Sequence, residues 1–263
     1  MVTEYLIPEH FKLSPCIHYD LIRVGPFEDG GYCVTQSSLK TCDFFISIGL
    51  GHNISFERQL LGLYKLSGIG VDPGWSWFLW IKHFVKTGFQ KTVLSKGSLP
   101  FGLKSFFEQL RFQLTSSEFK TIPKKCVLTP KSKKEVSLSS LLSESSNFEN
   151  ICLKMDVEGD EYSLVPEIFF TSNIGILILE FHNINSRLSE FSEILNRLLT
   201  VFHISHLHVN PHSRNFDKLP DILEITFERY CYSKQHQSRK TLPILGVDFS
   251  QSDDPPEYSI RFS

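Results

Sequence analysis

The fold of this chain is decided by the stretch Phe44-Phe45-Ile46-Ser47-Ile48-Gly49-Leu50-Gly51. An apolar run of Ile and Phe stops there at two glycines, and residues 53–61, beginning with Asn53, have the pattern of a capped helix start. A strand, a glycine turn and a helix form the opening unit of a doubly wound α/β fold. The glycines permit positive φ and close approach of a ligand, and the helix N-terminus presents unpaired N–H groups.

An acid stands at the tip of the second predicted strand. This strand, residues 68–71, ends in Asp72, and an acid in that position suits the vicinal hydroxyls of a ribose. The glycine turn and Asp72 together indicate a nucleoside cofactor. Gly49 and Gly51 are followed by Ile54 rather than by a third glycine, which disfavours a dinucleotide. The same pattern is usual in sites for S-adenosylmethionine (SAM), and an ordinary strand-to-helix turn without a ligand stays an alternative.

The composition is that of an ordinary globular domain. The chain has 263 residues, of which 41% are hydrophobic and 21% charged, so it is long enough for one large α/β domain. Its formal net charge of −2 gives no reason to expect nucleic acid or an anionic membrane as a partner. We therefore expect a small-molecule partner, and the sequence does not indicate an oligomeric state.

The cysteines and the N-terminus favour a reduced, cytoplasmic protein. Six cysteines lie far apart in the sequence, at Cys16, Cys33, Cys42, Cys126, Cys152 and Cys231. A structural zinc site uses closely spaced ligand pairs, so none is expected from this spacing. Residues 1–5 lack the basic region and apolar core of a signal peptide. The aromatic-rich segment 74–89 is too short and too interrupted by polar residues to span a bilayer; a helix behind the second strand is expected.

The flanking segments divide the chain into three parts. Residues 1–42 form an N-terminal cap segment, in which residues 21–34 predict two short strands joined by a turn at Asp29-Gly30-Gly31. Residues 43–232 form the main domain. Within it, residues 91–95 predict the third strand, and the Lys- and Ser-rich segment 116–140 predicts a solvated loop. Residues 233–263 predict an extended tail with little core.

Polar residues follow two successive apolar strands in the second half of the main domain. They are Asp156, Glu158, Glu180 and His182. The strands before them, at residues 151–155 and 174–179, are nearly continuous apolar runs of the kind buried in parallel sheets. Open α/β sheets bind ligands at the carboxyl ends of their strands. These four side chains are therefore the candidate reaction site.

The last two predicted strands form an antiparallel hairpin. Residues 201–210 alternate with period two, which places His206 and His208 on one face, and residues 221–230 form the next strand. The loop between them is too short for a crossover helix, so the two strands pair antiparallel. A mostly parallel, seven-stranded sheet that ends in such a hairpin is the plan of a class I, Rossmann-like methyltransferase. The main expectation for the two histidines is packing, not metal binding.

Several groups of residues together resemble the FkbM-like methyltransferases, and more narrowly the branch with Methyltransf_21-type domains. The first marks are Arg23-x-Gly25, Asp29-Gly30-Gly31-Tyr32, Ser47-Ile48-Gly49-Leu50-Gly51, Ile54-Ser55-Phe56-Glu57 and Asp72-Pro73. The later marks are Leu153-Lys154-Met155-Asp156-Val157-Glu158-Gly159-x-Glu161-Tyr162, Glu180-Phe181-His182, His206-x-His208-x-Asn210 and Leu223-Glu224-Ile225-Thr226-Phe227. The resemblance covers residues 20–230 approximately and leaves segments 89–140 and 233–263 without a recognised role.

The resemblance implies a SAM-dependent methyltransferase that acts on an oxygen of a small, sugar-like or natural-product acceptor. It further implies the cofactor-binding residues, which are Asp29, Gly30, Gly49, Gly51, Asn53, Asp72 and Asp156. The glycine turn would line the methionine part of SAM, Asp72 would hold the ribose, and the turn at Asp29 would close over the cofactor. Ser47 departs from the pattern, because many methyltransferases have an acid at that position.

The candidate catalytic residues follow from the chemistry of methyl transfer to a hydroxyl. His182 is the candidate base, because an imidazole with an ordinary pKa near 6.5 can remove a proton at neutral pH. Asp156, Glu158 and Glu180 either orient His182 or bind a divalent cation, for which oxygen ligands favour Mg²⁺ or Ca²⁺. Two alternatives remain open, a nucleotide-dependent oxidoreductase and a methyltransferase-like module that binds a partner without catalysis.

Overall fold

The computed structural model describes residues 4–26, 30–51, 53–74, 118–210, 213, 218–230, 237–244, 246–248 and 258–263. The strands in these ranges are β1 (Glu4–Ile7), β2 (Leu21–Val24), β3 (Tyr32–Thr35), β4 (Phe44–Ile48), β5 (Ser67–Val71), β6 (Phe119–Ile122), β7 (Lys125–Val127), β8 (Glu135–Ser137), β9 (Ile151–Met155), β10 (Ile174–Phe181), β11 (Phe202–Val209), β12 (Leu223–Arg229), β13 (Thr241–Leu242) and β14 (Ser259–Phe262). The α-helices are α1 (Gln36–Leu39), α2 (Ser55–Tyr64), α3 (Leu138–Glu144), α4 (Glu161–Ile168) and α5 (Leu188–Leu198).

The central sheet has seven strands in the order β11-β12-β10-β9-β4-β5-β6. Strand β12 is antiparallel to both of its neighbours, β10 and β11, and the pairs from β10 through to β6 are all parallel. Within this sheet, β4 comes first in the sequence and lies near the centre. Strands β5 and β6 follow toward one edge, and β9 and β10 then add to the other side of β4. This order confirms the predicted fold. It is a class I methyltransferase fold.

Apolar side chains on both faces of the sheet explain why helices cover both sides. Every residue of β4 and β9 is buried, as expected for parallel strands between two layers. Helix α2 and the β2–β3 hairpin pack on one face, where Phe45 and Phe56 are both fully buried. Helices α3, α4 and α5 contribute to the core on the other face.

The N-terminal hairpin forms as predicted, whereas the third strand of the sheet lies elsewhere than expected. Strands β2 and β3 pair antiparallel, with Leu21 opposite Thr35. The predicted strand at residues 91–95 lies outside the described residues. Strand β6 occupies the position beside β5, so the expectation of a solvated loop across 116–140 is wrong there. Phe119 anchors β6, because its ring stacks on Phe45.

The C-terminal segment contributes more to the core than the expected tail. Strands β1, β14 and β13 form a small three-stranded sheet, and Leu242, Ile260 and Phe262 are buried in the main core cluster. The three apolar residues are spread over 21 positions of the sequence, with prolines and acidic residues between them, which hides their pattern. The division at residues 42 and 232 stays a prediction. Within the described ranges, no helix is long and apolar enough to cross a membrane.

Candidate functional site

A row of polar residues and one glycine crosses the sheet at the carboxyl ends of its parallel strands. Ile48 lies opposite Val71 on one side and Met155 on the other, and Glu180 lies opposite Glu224, which lies opposite His208. Following the register one residue further gives the row His208, Glu224, Glu180, Asp156, Gly49 and Asp72. The fold therefore brings the predicted cofactor turn and the predicted reaction site to one edge.

The two glycines of the turn have different structural roles. Gly49 has φ +81°, and a Cβ at this position would lie 1.6 Å from the carbonyl oxygen of Asp156. Only glycine fits there, because the ends of β4 and β9 approach too closely for a side chain. Gly51 has φ +57°, and no described atom lies within 4 Å of a Cβ built on it. The described residues therefore leave room for a ligand above Gly51.

Asp72 closes the turn from the neighbouring strand. Its Oδ2 accepts a hydrogen bond from Gly51 N at 3.0 Å, and its Oδ1 accepts one from Gly74 N at 2.6 Å. The side chain is half-buried. Since a carboxylate has about four acceptor positions, the two hydrogen bonds from described residues leave two positions for vicinal hydroxyls.

The N-terminal hairpin meets the glycine turn at Asn53. A Cβ on Gly30, which has φ +86°, would lie 2.6 Å from Asn53 Nδ2, and Asn53 Oδ1 accepts a hydrogen bond from Ser55 N. Gly30 and Asn53 therefore lie together beside the turn, as the prediction of a covering loop requires. Asp29 lies outside the described residues.

A buried ion pair supports the glycine turn from below. Ser47 donates a hydrogen bond to Glu57 at 2.8 Å, Lys154 lies 3.6 Å from the same Glu57 oxygen, and Lys154 Nζ donates to the Gly49 carbonyl at 2.9 Å. Burial opposes the charge on Lys154, but Glu57 and Asp156 raise the pKa of its ammonium above the ordinary value. Glu57 belongs to the Ile54-Ser55-Phe56-Glu57 mark of the family resemblance but is not among the predicted site residues, and it lies fully buried beside Ser47 and Lys154.

A carboxylate that is not among the predicted site residues holds the His182 ring in place. Nδ1 of His182 lies 3.0 Å from Oε1 of Glu161, which is fully buried. The same oxygen accepts hydrogen bonds from the backbone N–H groups of Val157 and Gly159, each at 3.2 Å. The backbone carbonyl of His182 accepts a hydrogen bond from Tyr162. This pairing makes Nδ1 the protonated nitrogen and leaves Nε2 as the basic one.

The basic nitrogen of His182 faces two of the predicted catalytic acids. Nε2 lies 3.5 Å from Glu158 Oε2 and 3.5 Å from Glu180 Oε1. Glu158 has φ +55° and a side chain that is 86% exposed, whereas Glu180 is buried and accepts a hydrogen bond from Asn210. Glu158 therefore lies at the surface of the site and Glu180 in its wall.

Crowding of buried acids favours a positively charged ligand at this edge. Burial raises the pKa of Asp156 to about 6, and Glu158 and Glu224 add to the effect while Lys154 and His182 oppose it. Burial, Asp156 and Glu224 hold the pKa of Glu180 well above its ordinary value. A cation placed among these acids would relieve their mutual repulsion.

Asp156, Glu180 and His182 also have the composition of a cation site. One ligand atom from each lies within 4.8 Å of the other two. Two carboxylate oxygens and an imidazole suit a divalent cation. The predicted reaction residues are therefore brought together, and the cofactor residues that the structure describes lie beside them on the same edge.

His206 and His208 have separate partners. Ser205 is an extra residue in β11, because Ile204 pairs with Phe227 and His206 with Thr226. After this bulge, His206 Nε2 lies 2.6 Å from Asp248. Nδ1 of His208 lies 3.4 Å from a carboxylate oxygen of Glu224. The two histidines share no candidate metal group among the described residues.

Comparisons with known proteins give a similarity of fold at low identity. No protein-family model and no curated protein matches the sequence. A chain of the solved fibrillarin/Nop5p complex matches 72% of this chain and 74% of its own length, with 10% identity and a TM-score of 0.38. Precorrin-6y C5,15-methyltransferase from Geobacter metallireducens GS-15 covers 73% of this chain and 84% of its own, with 10% identity and a TM-score of 0.37. The mitomycin 7-O-methyltransferase MmcR covers 73% and 50%, with 10% identity and a TM-score of 0.33.

Proposed function

We propose that this chain is a SAM-dependent methyltransferase that transfers a methyl group to a hydroxyl of a small molecule. The observation that carries the proposal is that Gly51, Asp72 and the His182–Glu161 pair all lie on one edge of the sheet. One part of the edge suits a nucleoside, and the other holds a base with an oriented imidazole.

The residues of the turn fit SAM. The open space at Gly51 admits a ligand against the backbone, and Asp72 keeps acceptor positions for the ribose hydroxyls. Burial and mutual repulsion raise the pKa of Asp156 and Glu180, so a sulfonium cation bound near them would favour their ionised forms and be attracted by them. Acids at this edge oppose the negatively charged pyrophosphate of a dinucleotide, and residue 54 is isoleucine rather than the third glycine of a dinucleotide site.

The proposed reaction is an in-line displacement. SAM, when bound, supplies a methyl group on a sulfonium sulfur. Nε2 of His182 takes the proton of the acceptor hydroxyl as its oxygen forms a bond to the methyl carbon. The carbon–sulfur bond breaks, and its electron pair stays on the sulfur of S-adenosylhomocysteine. Glu161 stabilises the imidazolium that results, through the hydrogen bond to Nδ1.

The acceptor is proposed to be small and to carry hydroxyl groups. A base such as His182 is required for an oxygen acceptor, because a hydroxyl must lose its proton when it is methylated. The buried acids of the site and the net charge of −2 disfavour a polyanionic acceptor such as nucleic acid.

A methyl-transfer assay tests the proposal. Incubation of the protein with methyl-labelled SAM and a panel of sugars and phenols is expected to move the label into an acceptor and to release S-adenosylhomocysteine. With His182 as the base, EDTA leaves the rate unchanged. A rate that falls with EDTA and returns with Mg²⁺ would instead assign the activation of the hydroxyl to a cation on Asp156, Glu180 and His182. Tight SAM binding without turnover on any acceptor would favour the non-catalytic module.

The pH dependence of the reaction is expected to report the Glu161–His182 pair. Burial lowers the pKa of His182, but the hydrogen bond and charge of Glu161 outweigh it, so the pKa lies above the ordinary 6.5. A base must be neutral, so kcat/KM is expected to rise with pH through this value. Glu161→Gln removes the charge, lowers the pKa, and moves the acidic limb of the profile to lower pH. A limb that stays in place would contradict the pairing.

A further inference from the structure

A second cluster of metal-binding side chains lies beneath the N-terminal hairpin, outside the proposed active site. Cys33 comes from β3, His206 from β11 and Asp248 from the C-terminal segment. One ligand atom from each lies within 4.8 Å of the other two. We propose that these three side chains form a zinc site that fixes the hairpin and the C-terminal segment to the sheet.

The cluster is buried and comes from three distant parts of the chain. Cys33 is 1% exposed, His206 3% and Asp248 9%. A thiol, an imidazole and a carboxylate are each a preferred ligand type for zinc, and the thiol distinguishes the cluster from a site for Mg²⁺ or Ca²⁺. Structural zinc sites have four protein ligands in most proteins, whereas this site has three, so a water molecule would complete the tetrahedron.

Two distances in the cluster can be compared with the ligand separations of a tetrahedral zinc site. Cys33 Sγ lies 3.7 Å from Asp248 Oδ1, and a tetrahedral zinc separates a thiolate and a carboxylate oxygen by about 3.5 Å. His206 Nε2 lies 2.6 Å from the same oxygen, whereas zinc requires about 3.3 Å. Coordination therefore requires His206 Nε2 and Asp248 Oδ1 to move apart by about 0.7 Å.

The surroundings orient Asp248 as a ligand. Its second oxygen, Oδ2, accepts a hydrogen bond from the backbone N–H of Ile244 at 2.7 Å, so Oδ1 points toward His206 and Cys33. Ligating carboxylates in metal sites are usually held by hydrogen bonds of this kind. The thiol of Cys33 has one proton but lies near two acceptors, Asp248 Oδ1 at 3.7 Å and Val247 O at 3.8 Å. The thiol can therefore donate a hydrogen bond to only one of these acceptors. A thiolate bound to zinc would have no proton to donate.

The position of the site explains what a metal would stabilise. Cys33 accepts a hydrogen bond at its backbone carbonyl from Thr226 of β12, and the adjacent Tyr32 places its ring 5.4 Å from Lys154 Nζ beside the glycine turn. A zinc bound to Cys33 would thus hold the hairpin over the active-site edge. The role is structural, and it is separate from any cation on Asp156, Glu180 and His182.

Metal analysis and cobalt substitution test the zinc site on the full chain purified without a polyhistidine tag. We expect about one zinc per chain by elemental analysis, and a lower Tm after chelation. Reconstitution of the stripped protein with Co²⁺ is expected to give a thiolate-to-metal charge-transfer band. A cation on Asp156, Glu180 and His182 gives no such band, because that group contains no sulfur.

Two variants test which cysteine sulfur gives the charge-transfer band. Cys33→Ser is expected to abolish it, whereas Cys126→Ser, which changes a buried thiol in β7, is expected to keep it. If Cys33→Ser does not fold, His206→Gln replaces it in the same experiment. Zinc-free wild-type protein that gives no charge-transfer band with Co²⁺ would overturn the proposal, and so would a band that persists in both Cys33→Ser and His206→Gln.

Discussion

Replacing His182 by alanine is expected to lower kcat by about 10²–10⁴-fold, the range that a general base contributes. The imidazole is the candidate proton acceptor at the edge where methyl transfer would take place, and Glu161 fixes its Nδ1 at 3.0 Å. Binding of S-adenosylhomocysteine should change little, because His182 follows β10, three strands away from β5 and the proposed ribose ligand Asp72. Steady-state rates with a saturating acceptor, together with a binding titration, separate the two effects.

The matched control is His10→Ala, which removes an exposed histidine outside the site and should leave the rate unchanged. An activity of His182→Ala close to that of the wild type would contradict the role of His182 as the base. In that case the loss of activity in EDTA would decide whether a cation on Asp156 and Glu180 activates the hydroxyl instead.

Alanine at the two glycines of the turn is expected to have different effects: Gly49→Ala should mainly lower stability, and Gly51→Ala should mainly weaken cofactor binding. Gly49→Ala places a Cβ 1.6 Å from the Asp156 carbonyl oxygen, so the free energy of unfolding should fall by about 3 kcal/mol or more. In Gly51→Ala no described atom opposes the new Cβ, and the cost is about 1–2 kcal/mol of left-handed backbone strain. The methyl group would, however, occupy the space proposed for the cofactor.

Denaturant unfolding and calorimetric titration distinguish the two variants. Gly51→Ala should remain folded and bind S-adenosylhomocysteine at least about tenfold more weakly, which is about 1.4 kcal/mol. Equal stability of the two variants would contradict the packing role of Gly49. Unchanged affinity in a folded Gly51→Ala would contradict a cofactor above Gly51.

Sequence alone predicts the part of the site that depends on strand order. Gly49, Asp72, Asp156 and Glu180 follow apolar strands, and a parallel sheet necessarily brings the carboxyl ends of its strands to one edge. The hairpin of β11 and β12 is predictable for a similar reason, because a short loop permits only antiparallel pairing.

The parts that depend on loop geometry could not be predicted. Glu161 reads in the sequence as an acid that stabilises the start of α4, and only the turn of Val157 and Gly159 onto its carboxylate directs it to His182. Glu57 likewise reads as a first-turn acid of α2, although it is fully buried beside Lys154.

Strand β6 and the proposed zinc site also depend on contacts between residues far apart in the sequence, so the sequence did not predict them. Strand β6 has one buried side chain, Phe119, and Lys120 and Thr121 interrupt its apolar pattern, so its sequence resembles a loop. Spacing rules for zinc detect ligands that are close in sequence, and they cannot detect Cys33, His206 and Asp248, which are brought together by the hairpin, the sheet and the C-terminal segment.

The most direct test of the proposed function is a calorimetric titration of S-adenosylhomocysteine into wild type, Asp72→Ala and Asp43→Ala. Asp43 is a matched control, because it also accepts two backbone hydrogen bonds, from Glu149 N and Asn150 N, at the opposite end of β4. Micromolar binding to wild type and Asp43→Ala, weakened about tenfold or more in Asp72→Ala, is the predicted result. Failure of the wild-type protein to bind would contradict the proposed methyltransferase, and equal binding to all three proteins would contradict the ribose site at Asp72.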